Sequence, residues 1–316
     1  FTSGGTESNN MALKCSVRDL GVQRIISSPT EHHCVLHTLE CIEKEFGTRV
    51  EYLDVDKRGR FDPAQLEGLL RENGQKTLVS LMHANNEIGT MIDIDQISQI
   101  CRAHGALFHS DTVQTVGHFP LDVSNTEIDF LSGAAHKLHG PKGVGFIYIN
   151  GVNKINPLID GGSQERNMRG GTENVYGIVG LAKALKVMVD DMAREEAYIR
   201  KLRDQFMHAL SDTFPDVRFN GDPEGSALYT VLSVSFPKTD RSDMLLLSLD
   251  IAGISASGGS ACTSGAEAGS HVLQAIKADP ERKTVRFSFS QFNTPEEINF
   301  VVQQLKSMIP TAASVS

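Results

Sequence analysis

The chain has 316 residues, of which 40% are hydrophobic and 22% are charged, and its formal net charge is −9. This composition is typical of a soluble α/β protein large enough for two domains, and the acidic balance argues against a general nucleic-acid or membrane-surface role. No apolar stretch approaches the ~20 residues of a membrane span.

The five cysteines show no CxxC spacing, so they predict reduced thiols rather than a disulfide framework or a zinc ribbon. We therefore expect a reducing, cytoplasmic environment. The first residues, FTSGGTES, do not form a signal peptide. Phe1 is not an initiator methionine, and we expect an upstream segment to precede it.

The first half of the chain alternates short β-rich runs with amphipathic segments. Apolar residues at helical spacing predict helices around residues 35–46 and 94–101. Strands that alternate with helices predict βαβ units and a mainly parallel sheet covered on both faces. The predicted strands are residues 23–29, 50–55, 77–83, 106–110, 128–132 and 144–149.

The second half begins with a long helical region, from Thr172 to about Phe214, for which we expect one interruption. Further along, strands and helices alternate again and predict a smaller α/β domain. We place the boundary between a large domain, residues 1–194, and a small domain, residues 195–316. The predicted elements of the small domain are a strand at 230–237, a helix at 241–250, a short helix opened by Ser270, a strand at 284–290 and a helix at 295–309.

Asp111 in HSDTVQ and Lys137 in AAHKLHGPKG each follow a short apolar run that is typical of a buried strand. Ligands of such sheets bind beyond the carboxyl ends of the strands. A lysine and a carboxylate in these positions suit pyridoxal phosphate, which the lysine holds as a Schiff base while the carboxylate keeps the pyridine nitrogen protonated. We expect Lys137 to be partly buried, because burial lowers a lysine pKa. Taken alone, Asp111 is equally typical of a helix cap, and Gln114 can face the same ligand.

Two earlier motifs are also candidates for the site. SGGTES, residues 3–8, joins a strand end to a helix start and is typical either of a phosphate cradle or of an N-cap. In TEHHC, His32 is either a cap or a ring that stacks on a planar cofactor. A zinc site formed by His32, His33 and Cys34 is disfavoured, because adjacent helical residues point in different directions.

Three residues of the remaining motifs suit an amino-acid substrate and its cofactor. Cys262 lies among small residues in SASGGSACTSGAEAG, unlike a structural core cysteine, and the chain from it to Ser270 spans roughly 26–29 Å when extended. Arg286 is either a carboxylate-binding fork or a solvent-facing strand residue. Asn86 in HANNEIG either forms part of a turn or places its amide against the phenolic oxygen of the cofactor.

These segments, in this order, resemble the cysteine desulfurases, which are fold-type I pyridoxal-phosphate enzymes of aminotransferase class V. The resemblance implies a mainly parallel sheet of the seven-stranded type, flanked by helices, with a second, smaller α/β domain. SGGSACTSG resembles the subgroup with the longer, mobile cysteine loop. The matching segments are SGGTESNN, TEHH, HANNEIG, HSDTVQ, AAHKLHGPKG, MRGGTEN, SGGSACTSG and VRFSFSQFNT.

The resemblance also implies a set of cofactor-binding residues. They are Gly5, Thr6, His32, Asn86, Asp111, Gln114, His136, Lys137 and Thr172. Gly5, Thr6 and His136 would hold the phosphate, and Thr172 would reach it from the second subunit of a homodimer. No metal is expected.

The resemblance implies roles in the reaction for two of these residues and for two others. His32 would stack on the ring, Lys137 would hold the cofactor, and Cys262 would accept the sulfur of L-cysteine as a persulfide. Arg286 would bind the substrate carboxylate. The products would be L-alanine and sulfur for an acceptor or scaffold protein in iron–sulfur cluster assembly or tRNA thiolation. Selenocysteine lyase and a non-catalytic assembly subunit of the same fold are the alternatives.

The sequence departs from the family pattern at three places. Ala134 stands where a phosphate-binding serine is common, and Gln291 stands where an arginine is common. The family also has an upstream segment that forms part of the small domain, and we expect such a segment to lie before Phe1.

Overall fold

The computed structural model describes residues 1–71, 74–240, 242–258 and 269–309. The chain divides into two compact units. The first unit consists of Phe1–Val55, Phe61–Asn85 and Ile92–Met192. The second unit consists of Asp56–Arg60, Asn86–Met91 and Ala193–Ser316. The assignment of the two short early segments to the second unit is not evident from the sequence.

The first unit contains a sheet whose spatial order is β2-β1-β3-β4-β5-β6. Neighbouring strands from β2 to β5 pair in parallel, and β6 pairs antiparallel with β5, which confirms the mainly parallel sheet. Its strands are β1 Arg24–Ser27, β2 Arg49–Tyr52, β3 Thr77–Ser80, β4 Leu107–Asp111, β5 Phe130–Ala134 and β6 Gly145–Ile149.

The described part of this sheet has six strands, where the sequence predicts a sheet of the seven-stranded type. Thr2 lies beside β6 and forms an isolated antiparallel bridge with Gly145. A single bridged pair is too short to count as a strand, so Thr2 adds no seventh strand to the described sheet.

Helices cover both faces of the sheet. They are α1 Gly5–Leu20, α2 His33–Phe46, α3 Pro63–Arg71 and α4 Ile94–Ala103. The four-residue α5, Gln164–Asn167, has no buried residue and is an irregular turn of the loop before α6. Successive residues of a strand point to opposite faces. Ile25 of β1 therefore packs with Val35 and Leu39 of α2, while the next residue, Ile26, packs in the cluster that contains Ile97 of α4. The core thus consists of two apolar layers, one on each side of the strands.

The long helix α6 extends over Val175–Thr213 without a break, so the predicted interruption is wrong. The helix contains no proline, and its two glycines, Gly177 and Gly180, lie in its first two turns. No residue in the rest of the helix removes a backbone hydrogen bond, and the helix continues.

The second unit contains the antiparallel sheet β7-β8-β9. The predicted strands and helices of this part are present. The sequence did not predict β7, because three residues are too few to show an alternating pattern. Ser270 caps α8 by accepting a hydrogen bond from Leu273 N at 3.1 Å. The elements are β7 Arg218–Asn220, β8 Val231–Phe236, α7 Leu245–Ile251, α8 His271–Ala275, β9 Lys283–Ser288 and α9 Pro295–Met308.

The carboxyl ends of the parallel strands lead into the candidate functional segments. Strand β1 is followed by the turn to His32, β4 ends at Asp111, and β5 is followed by Lys137. Because parallel strands end at the same edge of a sheet, the fold brings these residues together. Within the residues that the structure describes, no helix combines the length and apolarity needed to cross a bilayer.

Candidate active site

Asp111 is the buried acid of the site. It is the last residue of β4, and its Oδ1 accepts a hydrogen bond from Val113 N at 2.9 Å. Its Oδ2 accepts a second one from Asn9 Nδ2 at 2.6 Å. Burial raises the pKa of Asp111, while these two hydrogen bonds, the charge of Lys137 and any positive charge on a protonated His32 act in the opposite direction. A positively charged group bound next to Asp111 would therefore lower the pKa of this carboxyl and keep it ionised.

Lys137 is the last residue of a 3₁₀ turn, Ala135–Lys137, that follows β5. Ala135 occupies the buried side of this turn, so His136 and Lys137 are both exposed. The predicted partial burial of Lys137 is therefore wrong for the protein chain by itself. Its ammonium group nevertheless lies near enough to Asp111 to lower the pKa of that carboxyl.

The start of α1 lies beside the turn that follows Asp111. A Cβ atom on Gly5 would lie 2.6 Å from Val113 Cγ2, so the close approach of the two segments requires glycine at this position. The N-cap residue, Gly4, offers no side-chain cap to the first turn. The N–H groups of that turn and the helix dipole favour an anion here.

Glu7 in the same turn does not cap α1. Its Oε2 accepts a hydrogen bond from Ser3 N at 2.9 Å, and its Oε1 pairs with Arg169 Nε at 2.9 Å. Burial raises the pKa of Glu7, but the hydrogen bonds from Arg169 and Ser3 outweigh it, and the pKa lies below its ordinary value. Glu7 is thus a carboxylate that ties the start of α1 to the loop before α6.

His32 is the N-cap of α2. Its Nδ1 accepts a hydrogen bond from Cys34 N at 3.2 Å, and the Sγ of Cys34 lies 3.0 Å from the same ring nitrogen. The ring is half-buried. The predicted cap is confirmed, and the ring lies close enough to Asp111 for a positive charge on it to lower the pKa of that carboxyl. Stacking of the ring on a cofactor stays a prediction.

The other predicted cofactor residues of the first unit occupy different places. Gln114 is half-buried in the turn after β4, three residues from Asp111. Partial burial, with the charges of Lys137 and Lys142, lowers the pKa of His136. Thr172 is exposed and lines a pocket of about 110 Å³ together with Arg169, and Asp111 does not line that pocket.

Asn86 and Arg286 belong to the second unit, where they contact each other. Arg286 Nη1 donates a hydrogen bond to the backbone oxygen of Asn86 at 2.9 Å, and Arg286 N donates one to Ser257 O at 2.7 Å. Arg286 is half-buried in β9, so it is neither a core residue nor a fully solvated one. Cys262 lies outside the described residues.

A family model described as Aminotransferase class-V matches residues 1–301 of the chain. The chain belongs to the aminotransferase class-V family. It is 42% identical over 320 residues to a protein of Dictyoglomus turgidum named cysteine desulfurase IscS, an alignment that covers 100% of this chain and 80% of that protein. A protein of Methanosarcina thermophila with the same name is 42% identical over 322 residues, with 98% and 78% covered. A solved structure described as a NifS-like protein has a TM-score of 0.87 at 35% identity, with 97% and 80% covered.

These likenesses confirm the resemblance that the motifs indicate and the α/β fold of the class-V family. The structure shows where Ala134, one of the departures from the family pattern, lies. Ala134 is buried at the end of β5, and its Cβ would lie 3.8 Å from a Cβ on Gly5. The alanine therefore adjoins the start of α1, where a serine in the class-V pattern would offer a hydroxyl to a phosphate. Gln291 lies in the turn after β9.

The sequence did not indicate two residues of this candidate site, Asn9 and Glu31, and it offered Cys34 only as a disfavoured zinc ligand. Asn9 is fully buried and contacts Asp111 and Cys34. The available signal was its position three and four residues before Ala12 and Leu13, which places a polar side chain on the buried face of α1.

Glu31 is also buried, and its Oε1 accepts a hydrogen bond from Met82 N at 2.6 Å. Burial and, to a smaller extent, the Asp111 carboxyl raise the pKa of Glu31 well above its ordinary value. Asp111 receives two hydrogen bonds and lies near the Lys137 ammonium, so it is the better place for the negative charge of this cluster. No sequence pattern distinguishes Glu31 from a surface glutamate at the start of a helix.

Proposed function

We propose that this chain is a pyridoxal-phosphate-dependent cysteine desulfurase, which converts L-cysteine to L-alanine and retains the sulfur as a persulfide on Cys262. The observation that carries the proposal is the placement of Asp111 and Lys137 at the carboxyl ends of adjacent strands, β4 and β5. The proteins named cysteine desulfurase that share 42% identity with the chain support the choice of substrate.

The residues present fit pyridoxal phosphate. The buried Asp111 carboxyl matches a protonated pyridine nitrogen, because a cation there compensates the burial that raises the pKa of Asp111. The start of α1 has a glycine that leaves no room for a side chain and lacks a side-chain cap, as an incoming phosphate requires. The Lys137 amine is exposed and therefore accessible to an aldehyde.

Each residue of the first unit then has a definite task. When bound, pyridoxal phosphate supplies a ring that withdraws electrons from the substrate α-carbon. Lys137 would hold the cofactor through Nζ, and its amine would take the proton from the substrate α-carbon. Asp111 would hold a proton on the pyridine nitrogen through a charge-assisted hydrogen bond. His32 would stack on the ring, Gln114 would contact it, and Gly5, Thr6 and His136 would hold the phosphate.

Sulfur transfer is assigned to Cys262. Its thiolate attacks the substrate sulfur, so that an S–S bond forms while the bond between Cβ and sulfur breaks with its electron pair left on Cβ. Protonation of that carbon, together with the return of the α-carbon proton from Lys137, gives alanine. Cys34 is unsuited to this role, because burial, the Asp111 charge and Glu31 raise its pKa to about 12 and keep it a thiol. Arg286 binds the substrate carboxylate.

The proposal includes a homodimer and a cytoplasmic sulfur acceptor that serves iron–sulfur cluster assembly or tRNA thiolation. Support for the homodimer comes from the residues that follow Thr172. Val175, Tyr176 and Val179 are exposed by 58%, 92% and 62%, an apolar patch that is typical of an interface. A subunit docked there brings Thr172 to the phosphate of its partner.

The test measures alanine and sulfide formation from L-cysteine by the chain loaded with pyridoxal phosphate. We expect turnover by the wild type, none by Lys137→Ala, and none by Cys262→Ser, which still binds the cofactor. Undiminished sulfide release by Cys262→Ser contradicts the assignment of the nucleophile. A wild-type chain that never takes up pyridoxal phosphate contradicts the proposed function as a whole, and turnover of selenocysteine alone identifies a selenocysteine lyase.

A further inference from the structure

The Cys34 thiol lies at the centre of a polar cluster that the reaction itself does not use. Its Sγ lies 3.0 Å from His32 Nδ1 and 3.2 Å from Asn9 Nδ2, and the Thr6 side chain is hydrogen-bonded to it as well. One sulfur atom thus contacts a side chain of α1, the N-cap of α2 and a residue of the proposed phosphate cradle.

The direction of each hydrogen bond follows from chemistry. Asn9 Nδ2 lies 2.6 Å from Asp111 Oδ2, and an amide oxygen in that place would face the carboxylate oxygen. Asn9 therefore directs its two N–H groups to Asp111 and to Cys34 Sγ, so the sulfur is an acceptor toward Asn9.

The same reasoning fixes the ring of His32. Its Nδ1 accepts a hydrogen bond from the backbone N–H of Cys34, so a proton on Nδ1 would place two donors against each other at 3.2 Å. With Nδ1 unprotonated, the S–H group of Cys34 is the donor across the 3.0 Å separation. The ring proton then resides on Nε2.

We propose that Cys34 is a positioning residue, whose thiol continues a hydrogen-bonded chain from Asp111 through Asn9 to His32 and holds the His32 ring as the neutral tautomer protonated on Nε2. The inference rests on the proposed function for the role of His32 beside the cofactor. A thiol suits this position because it can accept a hydrogen bond from the Asn9 amide and donate one to the His32 imidazole at the same time.

Charged and titratable groups face the pair from several elements. Asp111 faces it from β4, Lys137 acts from the turn after β5, and Glu31 and His33 flank His32 in the chain. The high pKa of Cys34, about 12, keeps the S–H donor in place at neutral pH. The His33 ring lies edge-on to the His32 ring, with 6.4 Å between the centroids and 69° between the ring planes.

The experiment records the side-chain ¹⁵N resonances of the histidines in the full-length chain at pH 7.5, with His32 identified by its loss in His32→Gln. In the wild type we expect an unprotonated Nδ1 and a protonated Nε2. In Cys34→Ala the ratio of the two tautomers should fall by about fivefold, as the loss of one hydrogen bond predicts. Cys34→Ser keeps a donor and an acceptor and should restore the wild-type spectrum.

Cys41→Ala is the matched control, because Cys41 is a half-buried cysteine of the same helix and should leave His32 unchanged. An unchanged His32 tautomer in Cys34→Ala overturns the proposal. If that variant does not fold, the wild-type spectrum decides, since an imidazolium or a proton on Nδ1 is incompatible with the proposal. These spectra do not depend on turnover, so an absence of alanine formation would contradict only the proposed function. In the active enzyme, Cys34→Ala should lower kcat more than it changes KM.

Discussion

Asp111 depends on a neighbour that is far away in sequence. Asn9 is fully buried on α1, and its amide donates one of the two hydrogen bonds that the Asp111 carboxylate accepts among the described residues, at 2.6 Å. The other comes from Val113 N in the turn that follows β4. A buried carboxylate is stable only with such partners. The helix that begins at the proposed phosphate cradle therefore also positions the acid that we propose for the pyridine nitrogen.

The substitution Asn9→Ala tests this dependence. It removes one hydrogen bond from a buried carboxylate, a loss of about 1.5–3 kcal/mol. We expect the dissociation constant of pyridoxal phosphate to rise by about 10-fold to 100-fold, measured by absorbance titration of the cofactor-free chain. Asn10→Ala is the control, because Asn10 Nδ2 donates to Thr6 O at the exposed surface. Equal cofactor affinity in the two variants would contradict the role of Asn9.

A second residue-scale prediction concerns Ala134. This side chain adjoins Gly5, so a hydroxyl in its place would reach an anion bound at the start of α1. We expect Ala134→Ser to lower the dissociation constant of pyridoxal phosphate by about tenfold, the effect of one hydrogen bond to a charged group. The same titration measures it, with the melting temperature as a check on folding. Unchanged affinity would place the phosphate elsewhere.

At the scale of elements, polar side chains join the central strands of the first unit. His109 of β4 lies between Ser80 of β3 and Ser132 of β5, with its Nδ1 and Nε2 2.9 and 3.2 Å from the two hydroxyls. His83 contacts Thr115 in the same way, at 3.0 Å. Burial lowers the pKa of His109 to about 3 and that of His83 to about 4, so both rings are neutral in the folded protein.

These histidines predict a loss of stability in mild acid. Below about pH 6.5 these two histidines become protonated in the unfolded chain but stay neutral in the folded protein. Each of them therefore lowers the free energy of unfolding by about 1.4 kcal/mol for every pH unit that the pH falls. The loss continues until the pH reaches the folded pKa. Glu31 and Asp111 have raised pKa values and act in the opposite direction, so the sign of the total slope depends on all of these groups.

The contribution of His109 is isolated by comparison with His109→Asn. Urea denaturation at pH 7.5 and at pH 5.0 should show a free energy of unfolding that falls further with acid in the wild type than in the variant. The expected difference is about 2 kcal/mol over this range, most of it gained below pH 6.5. An identical pH dependence in the two proteins would show that His109 titrates normally in the fold.

At the scale of the molecule, the apolar residues at the start of α6 predict an assembly of two copies. Tyr176 is 92% exposed, so a substitution there should not disturb the fold of one chain. We expect Tyr176→Glu to weaken the dimer by about 30-fold or more, as the loss of an aromatic interface residue does. Sedimentation equilibrium measures the association constant. Ile251→Glu, at a residue that is 79% exposed in the second unit, is the control. A dimer that tolerates Tyr176→Glu would contradict this interface.

The sequence by itself determined the strands of the parallel sheet, the helices α2 and α4, and the pair Asp111 and Lys137. Each of these features follows from a local sequence pattern: an apolar run, apolar residues at helical spacing, or a polar residue directly after a strand. The resemblance to the class-V family added the remaining site residues by position, and the similar proteins confirm the family.

Only the tertiary structure decided which polar side chains meet. Asn9, Cys34 and Asp111 come from three elements, and their contacts arise when α1 and α2 pack beside β4. It also decided the exposure of Lys137 and placed Asp56–Arg60 and Asn86–Met91 in the second unit. Periodicity reports how one segment is buried, whereas hydrogen bonds between segments depend on distances that folding alone establishes.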